Sequence, residues 1–158
     1  MKRHRILNPL LLCAMLVLPL GSARAGSSPV ALLTGVTVSR AGASDRVTFA
    51  FRSRPAIVHA RYVPRSGLVG VSGRPIPVAG STFLVVVATP ASGVDLSGSS
   101  PIPTYRGSLR IPARSTRHIR EVVRLEDYEG VLRWAIGLDE RRPYAVMRQG
   151  PLVILDVK

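Results

Sequence analysis

Apolar side chains recur at every second position along most of this chain, and short Gly, Pro and Ser clusters keep interrupting the pattern. A two-residue period sends alternate side chains to opposite faces of an extended backbone, so it predicts half-buried strands rather than helices. Val36 and Val38 alternate with Thr37 and Ser39, and Ala41 to Ser44 turns the chain. Val47, Phe49 and Phe51 are expected inward, with Arg46, Thr48 and Arg52 outward. Val58, Ala60 and Tyr62 form a third inward set, opposite His59 and Arg61. Phe83 to Ala88 is apolar at both parities, as a central strand covered on both faces requires. No segment carries a convincing helical period longer than about two turns.

Two stretches break the rhythm. Pro64 to Gly80 is dense in Gly and Pro, which leaves room for short edge strands at most. Thr89 to Gly107 is a Ser-, Gly- and Pro-rich connection of about 19 residues, long enough to be functional or mobile. Order resumes at Arg117, with Ile119, Val123 and Leu125 expected on one side and Arg120 and Arg124 on the other. Leu132, Trp134, Ile136 and Leu138 then alternate with Val131, Arg133, Ala135 and Gly137. Strands over Tyr144 to Arg148 and Leu152 to Val157 close the chain. About eight or nine short strands punctuated this way predict an all-β, two-sheet antiparallel β-sandwich. A closed barrel is the alternative.

The N-terminal residues read differently. Lys2, Arg3 and Arg5 precede an apolar run from Ile6 to Leu20, and Ala23-Arg24-Ala25 follows. Charge, apolar stretch and small-x-small is the order of a secretory signal peptide, and the run is shorter than a membrane-spanning helix needs. The expected organisation is a signal peptide over 1–25, a linker over 26–31 and a β-sandwich domain over 32–158, exported and without a transmembrane span once processed. Cys13 is the only cysteine, so cleavage after Ala25 leaves no thiol for disulfides, metal binding or nucleophilic chemistry. Lipidation at Cys13 is disfavoured by Leu12 before it and the continuing apolar run. Without the four basic residues of the leader, eighteen remain against nine acids, a formal +9. Such a domain is attracted to polyanions.

The exported part offers little catalytic material. His59 and His118 stand in no metal-ligand spacing, so neither a metal nor a cofactor is expected. Ser115, His118 and Asp127 could be written as a triad, but no nucleophile turn supports them. Glu126-Asp127-Tyr128-Glu129 beside Gly130 reads as a solvated hairpin turn rather than a cation loop. Trp134 shares the parity of Leu132 and Ile136 and reads as core rather than as a sugar platform. The Asp45 carboxylate, before Arg46, is expected to cap nearby backbone amides. Nucleic-acid binding rests on charge alone and conflicts with export, so it is not expected.

Two segments go beyond periodicity. GVTVSRAGASDRVTFAF (Gly35 to Phe51) resembles the opening of AMIN domains, with Asp-Arg-Val leading the second strand. RRPYAVMRQGPLVILDV (Arg141 to Val157) resembles their closing strand pair. Between them, Arg120 to Tyr144 and the Thr104-Tyr105-Arg106-Gly107 element are similar to the AMIN-like domains of secreted actinobacterial proteins. The resemblance implies two packed antiparallel sheets and a non-enzymatic module that binds peptidoglycan or an envelope partner. One departure is that Pro151 is followed directly by Leu152, without the arginine of the closing motif.

The candidate ligand-binding residues are therefore the outward cations Arg46, Arg61, Arg120, Arg124 and Arg133, with Tyr105 and Arg106 expected at the rim from the long loop. Were they to share one face, their guanidinium forks would suit phosphates and carboxylates of an anionic wall polymer. The alternative partner is an envelope protein, in an assembly acting through sheet edges.

Overall fold

The computed structural model describes residues 29–158; the expected signal peptide and residues 26–28 of the expected linker lie outside them. Twelve strands and one short 3-10 turn, Arg65–Gly67, make up the fold. One five-stranded sheet contains β1 (Ala31–Ala41), β2 (Ser44–Phe51), β5 (Ala91–Ser92), β11 (Tyr144–Gln149) and β12 (Leu152–Val157) in the order β11-β12-β2-β1-β5. The other runs β3-β4-β10-β9-β8, built from β3 (Ile57–Val63), β4 (Thr82–Thr89), β8 (Arg110–Pro112), β9 (Ile119–Tyr128) and β10 (Val131–Leu138). Neighbours pair antiparallel, except that β1 meets the two-residue β5 in parallel. A sandwich forms, with Val47, Phe49 and Phe51 of one sheet facing Leu84, Val86, Trp134 and Ile136 of the other.

The first sheet joins the two ends of the described chain. β12 lies beside β2, and their register sets Asp156 opposite Arg46. Asp45, one residue earlier, points inward and is 1% exposed. Its carboxylate does not cap its own turn. It accepts the backbone N–H groups of Arg117 at 2.9 Å, His118 at 2.6 Å and Ile119 at 3.1 Å, more than seventy residues along the chain. A buried carboxylate demands such donors, and here they stitch the start of β9 to the first sheet.

Pro64 to Gly80 does more than edge a sheet. Leu68, Val78 and Ile76 pack on the outer face of the second sheet against Phe83, Val85, Val123, Leu125 and Ala135, forming a second apolar layer. Two polar contacts fasten this cover: Glu121 Oε2 accepts the Ala79 N–H at 2.9 Å, and Arg110 donates to the Pro77 carbonyl at 2.7 Å. The approach is close enough that a Cβ on Gly137 would lie 1.8 Å from the Ala79 carbonyl oxygen. The expected two sides of β9 are corrected accordingly. Register shifts opposite Arg133/Trp134 and Gly137/Leu138 break its period, so Ile119 and Val122 enter the sandwich while Val123 and Leu125 lie beneath the cover.

Thr89 to Gly107 is ordered into β5, β6 (Val94–Asp95) and β7 (Ile102–Pro103). Its anchor is the Thr-Tyr-x-Gly element. Thr104 donates its hydroxyl to the Leu33 carbonyl at 2.8 Å. The Tyr105 ring stands edge-on to Trp134 with centroids 5.5 Å apart, and its hydroxyl donates to Ser108 O at 2.7 Å. A Cβ at Gly107 would meet that hydroxyl at 2.6 Å, which explains the glycine.

Candidate functional site

The seven residues expected to bind a ligand do not form one patch. Arg46 lies on the first sheet, where Nε and Nη2 grip both oxygens of Asp156 at 2.7 and 2.8 Å. Hydrogen bonding from Arg46 holds the Asp156 carboxyl below its ordinary pKa and raises that of Arg46 in turn. Arg124 is held by Asp127 at 3.2 Å, and Arg120 reaches to 3.7 Å from Asp139. Arg106 is exposed on its own loop. Tyr105 is corrected from rim to core: it is 7% exposed, and burial pushes its phenol pKa up. Only Arg61 and Arg133 come together, beside Val85, Val87 and Val69 in a depression between the second sheet and its cover. Of these two, Arg133 is spoken for by Glu126 at 2.8 Å.

Arg61 is different. Strands β3 and β11 are the outer strands of their sheets and run along the same side of the sandwich. Tyr62, inward on β3, donates its hydroxyl to the Arg142 carbonyl at 2.6 Å and accepts the Arg142 N–H at 3.0 Å. Tyr144, inward on β11, donates to Ala60 O at 2.8 Å, and the two rings meet edge to face at 5.6 Å. This interlock draws the Asp139–Pro143 connection over β3. There the Arg141 guanidinium lies 4.3 Å from the centre of the Tyr62 ring. Arg61, Tyr62, Arg141, Pro143 and Tyr144 thus line an open cleft of about 810 Å³.

The charges sort the cations. Arg46, Arg110, Arg124, Arg133 and Arg142 each have a carboxylate within 3.2 Å. Neither Arg61 nor Arg141 has an ion pair or side-chain hydrogen bond among the described residues, and both are exposed. Behind the cleft, Asp139 anchors the connection. Burial alone would raise its pKa, but hydrogen bonds from His118, Arg142 and the Glu140 N–H outweigh that and hold it at about 2. His118 Nδ1 is 3.1 Å from Asp139, whereas Asp127 bonds Ser92, Gly93 and Arg124, so the triad conceivable on paper is not assembled.

The sequence matches a known family: the model of the AMIN-like domain covers residues 31–158. The chain belongs to that family. No curated protein and no solved structure matches it at a significant level. Membership is consistent with an envelope-associated module, and no helix among the described residues is long and apolar enough to cross a membrane. In this AMIN-like domain the opening and closing motifs meet physically, through Arg46 and Asp156. Inward parity marks Tyr62 as plain core, Arg141 falls in a polar connection, and Tyr144 only begins a strand, so none of the three stands out in the sequence. The signal in the sequence was a pair of tyrosines at inward parity on two separate strands, one just after Arg-Arg-Pro. That those strands lie side by side is not written locally.

Proposed function

We propose that this AMIN-like domain is a non-enzymatic, extracytoplasmic binding module that holds an anionic wall polymer, such as peptidoglycan with its carboxylates, in the Arg61–Arg141 cleft. The observation that carries the reading is the pair of guanidinium groups left without a carboxylate beside two tyrosine rings. A planar fork with free N–H groups binds carboxylate or phosphate bidentately, and the Tyr62 ring beneath Arg141 holds one such fork in place. The cleft is shallow and open, which suits a polymer passing across it better than a small substrate enclosed for reaction. Family membership and the apolar leader support an envelope location.

Assembly through sheet edges draws less support. The two long outer strands face each other, and Tyr144 and Arg148 already donate to the Ala60 carbonyl of β3 and the Ala56 carbonyl just before it. Side chains that consume an edge's acceptors blunt it against strand addition.

The test is retention of the purified protein on isolated cell wall at rising salt. Retention should fall as salt rises and should be lost in Arg61→Gln/Arg141→Gln, while Arg106→Gln behaves as the parent. Retention indifferent to both substitutions would refute the assignment.

A further inference from the structure

A second concavity lies elsewhere on the molecule, with the opposite character. It measures about 800 Å³ and is bounded by the lead-in to β1, the β5–β6 segment and the β9–β10 hairpin. Its apolar lining includes Val30, Leu32, Val94, Leu96 and Tyr128. Val30, Leu96 and Tyr128 are 45%, 68% and 52% exposed, three of the seven large apolar residues left in solvent among those described. Its rim holds Asp95, Asp127 and Glu129, three of the nine acidic residues of a strongly basic chain.

The carboxylates are not equivalent. Asp127 is satisfied by Ser92, Gly93 and Arg124. Asp95 accepts Ser97 through Oδ1, while its Oδ2 has only Arg52 at 3.6 Å. Glu129, at the tip of the hairpin, has no ion pair or hydrogen bond among the described residues. An apolar trough with a negative rim favours an occupant that is both greasy and cationic. It repels the anionic polymer proposed for the Arg61–Arg141 cleft.

We infer that this groove is a docking site for a polypeptide segment of an envelope partner in which aliphatic side chains alternate with arginine or lysine. The aliphatic groups fill the space over Leu32, Val94 and Leu96, and the cations reach Glu129 and the outer oxygen of Asp95. Alternation suits an extended segment, whose successive side chains point to opposite sides. This site is independent of the wall-binding cleft, so one domain has separate surfaces for polymer and protein.

The experiment titrates the isotope-labelled protein with the blocked peptide Leu-Arg-Leu-Arg-Leu and follows backbone amide signals. Expected shifts are confined to Leu32, Val94 to Ser97 and Tyr128 to Val131, with affinity falling as salt is added. Glu129→Lys should weaken binding about tenfold through charge reversal at the rim. Glu129→Asn gives a second handle: it removes the carboxylate while supplying the Asn-Gly pair that a two-residue hairpin turn prefers, so it should bind less and melt no lower. Leu-Glu-Leu-Glu-Leu should leave the groove signals unchanged. Equal binding of both peptides, or shifts mapping to Arg61 and Arg141 instead, would overturn the inference. So would groove signals that move with protein concentration alone, since the occupant would then be a second copy of the chain. Loss of polymer retention in the Arg61/Arg141 variant leaves this titration unaffected, so the two assignments fail separately.

Discussion

Gly137→Ala is the sharpest probe of how the outer layer is held. The added Cβ would sit 1.8 Å from the Ala79 oxygen and 3.0 Å from Val78 Cγ1, so backbone rather than a side-chain tip must yield. β10 is the central strand of its sheet, paired on both sides, and cannot retreat. The Pro64–Gly80 cover must lift instead. Lifting exposes Leu68 and Val78, each worth about 1.5–3 kcal/mol when buried. It also strips Glu121, itself buried, of the Ala79 N–H, at a further cost of about 1 kcal/mol. Partial relaxation recovers some of this, as overpacked sites commonly do. A loss of about 3–5 kcal/mol is expected. Urea unfolding measures it, together with hydrogen exchange at the Ile76 and Ala79 amides, which are bonded to Leu68 O and Glu121. Gly98, with nothing within 4 Å of its would-be Cβ, is the control, and its alanine variant should lie within about 0.5 kcal/mol of the parent. A Gly137→Ala protein as stable as that control, with both amides still protected, would refute the close-packed cover.

Asp45→Ala leaves three N–H groups, that of Ile119 buried, without their acceptor and should cost about 2–4 kcal/mol by denaturant titration, with Arg117 to Ile119 losing exchange protection first. The Asp139 carboxyl is held below its unfolded pKa, so its contribution is present above about pH 4 and disappears as pH falls toward 2. Partial solvent screening limits that contribution to about 1 kcal/mol, and Asp139→Asn should flatten this limb of the stability curve. Gly107→Ala should displace the Tyr105 ring and cost about 1–3 kcal/mol in thermal unfolding. Trp134 Nε1 is buried with no acceptor among the described residues, so Trp134→Phe gives up volume but no hydrogen bond and should cost about 1–2 kcal/mol by denaturant titration, less than a truncation to alanine.

Periodicity carried the sandwich because each long strand turns one face to the shared interior, and parity alone then orients Phe49, Tyr62 and Trp134. A strand buried twice is legible when its register is unbroken, as in β4, and illegible when bulges interrupt it. β9 keeps no clean alternation, since its bulges hand successive apolar residues to different layers, and a Gly- and Pro-rich segment gave no hint that it would supply the second layer. The arginines show a different limit. Outward parity is a property of one strand, whereas a patch is a property of neighbouring strands. Arg46 and Arg61 stand on different sheets, and the carboxylates that neutralise Arg46 and Arg133 come from β12 and β9. Arg141 needed both outer strands in place before its site existed.

The pairing of β12 with β2 has a temporal consequence. A chain emerging from the ribosome N terminus first exposes a bare β1–β2 hairpin edge until Leu152–Val157 arrives to zip alongside. Until then Arg46 waits for Asp156, and β2 is paired on one side alone. Closure of the first sheet is thereby tied to a strand that lies 110 residues downstream of Arg46.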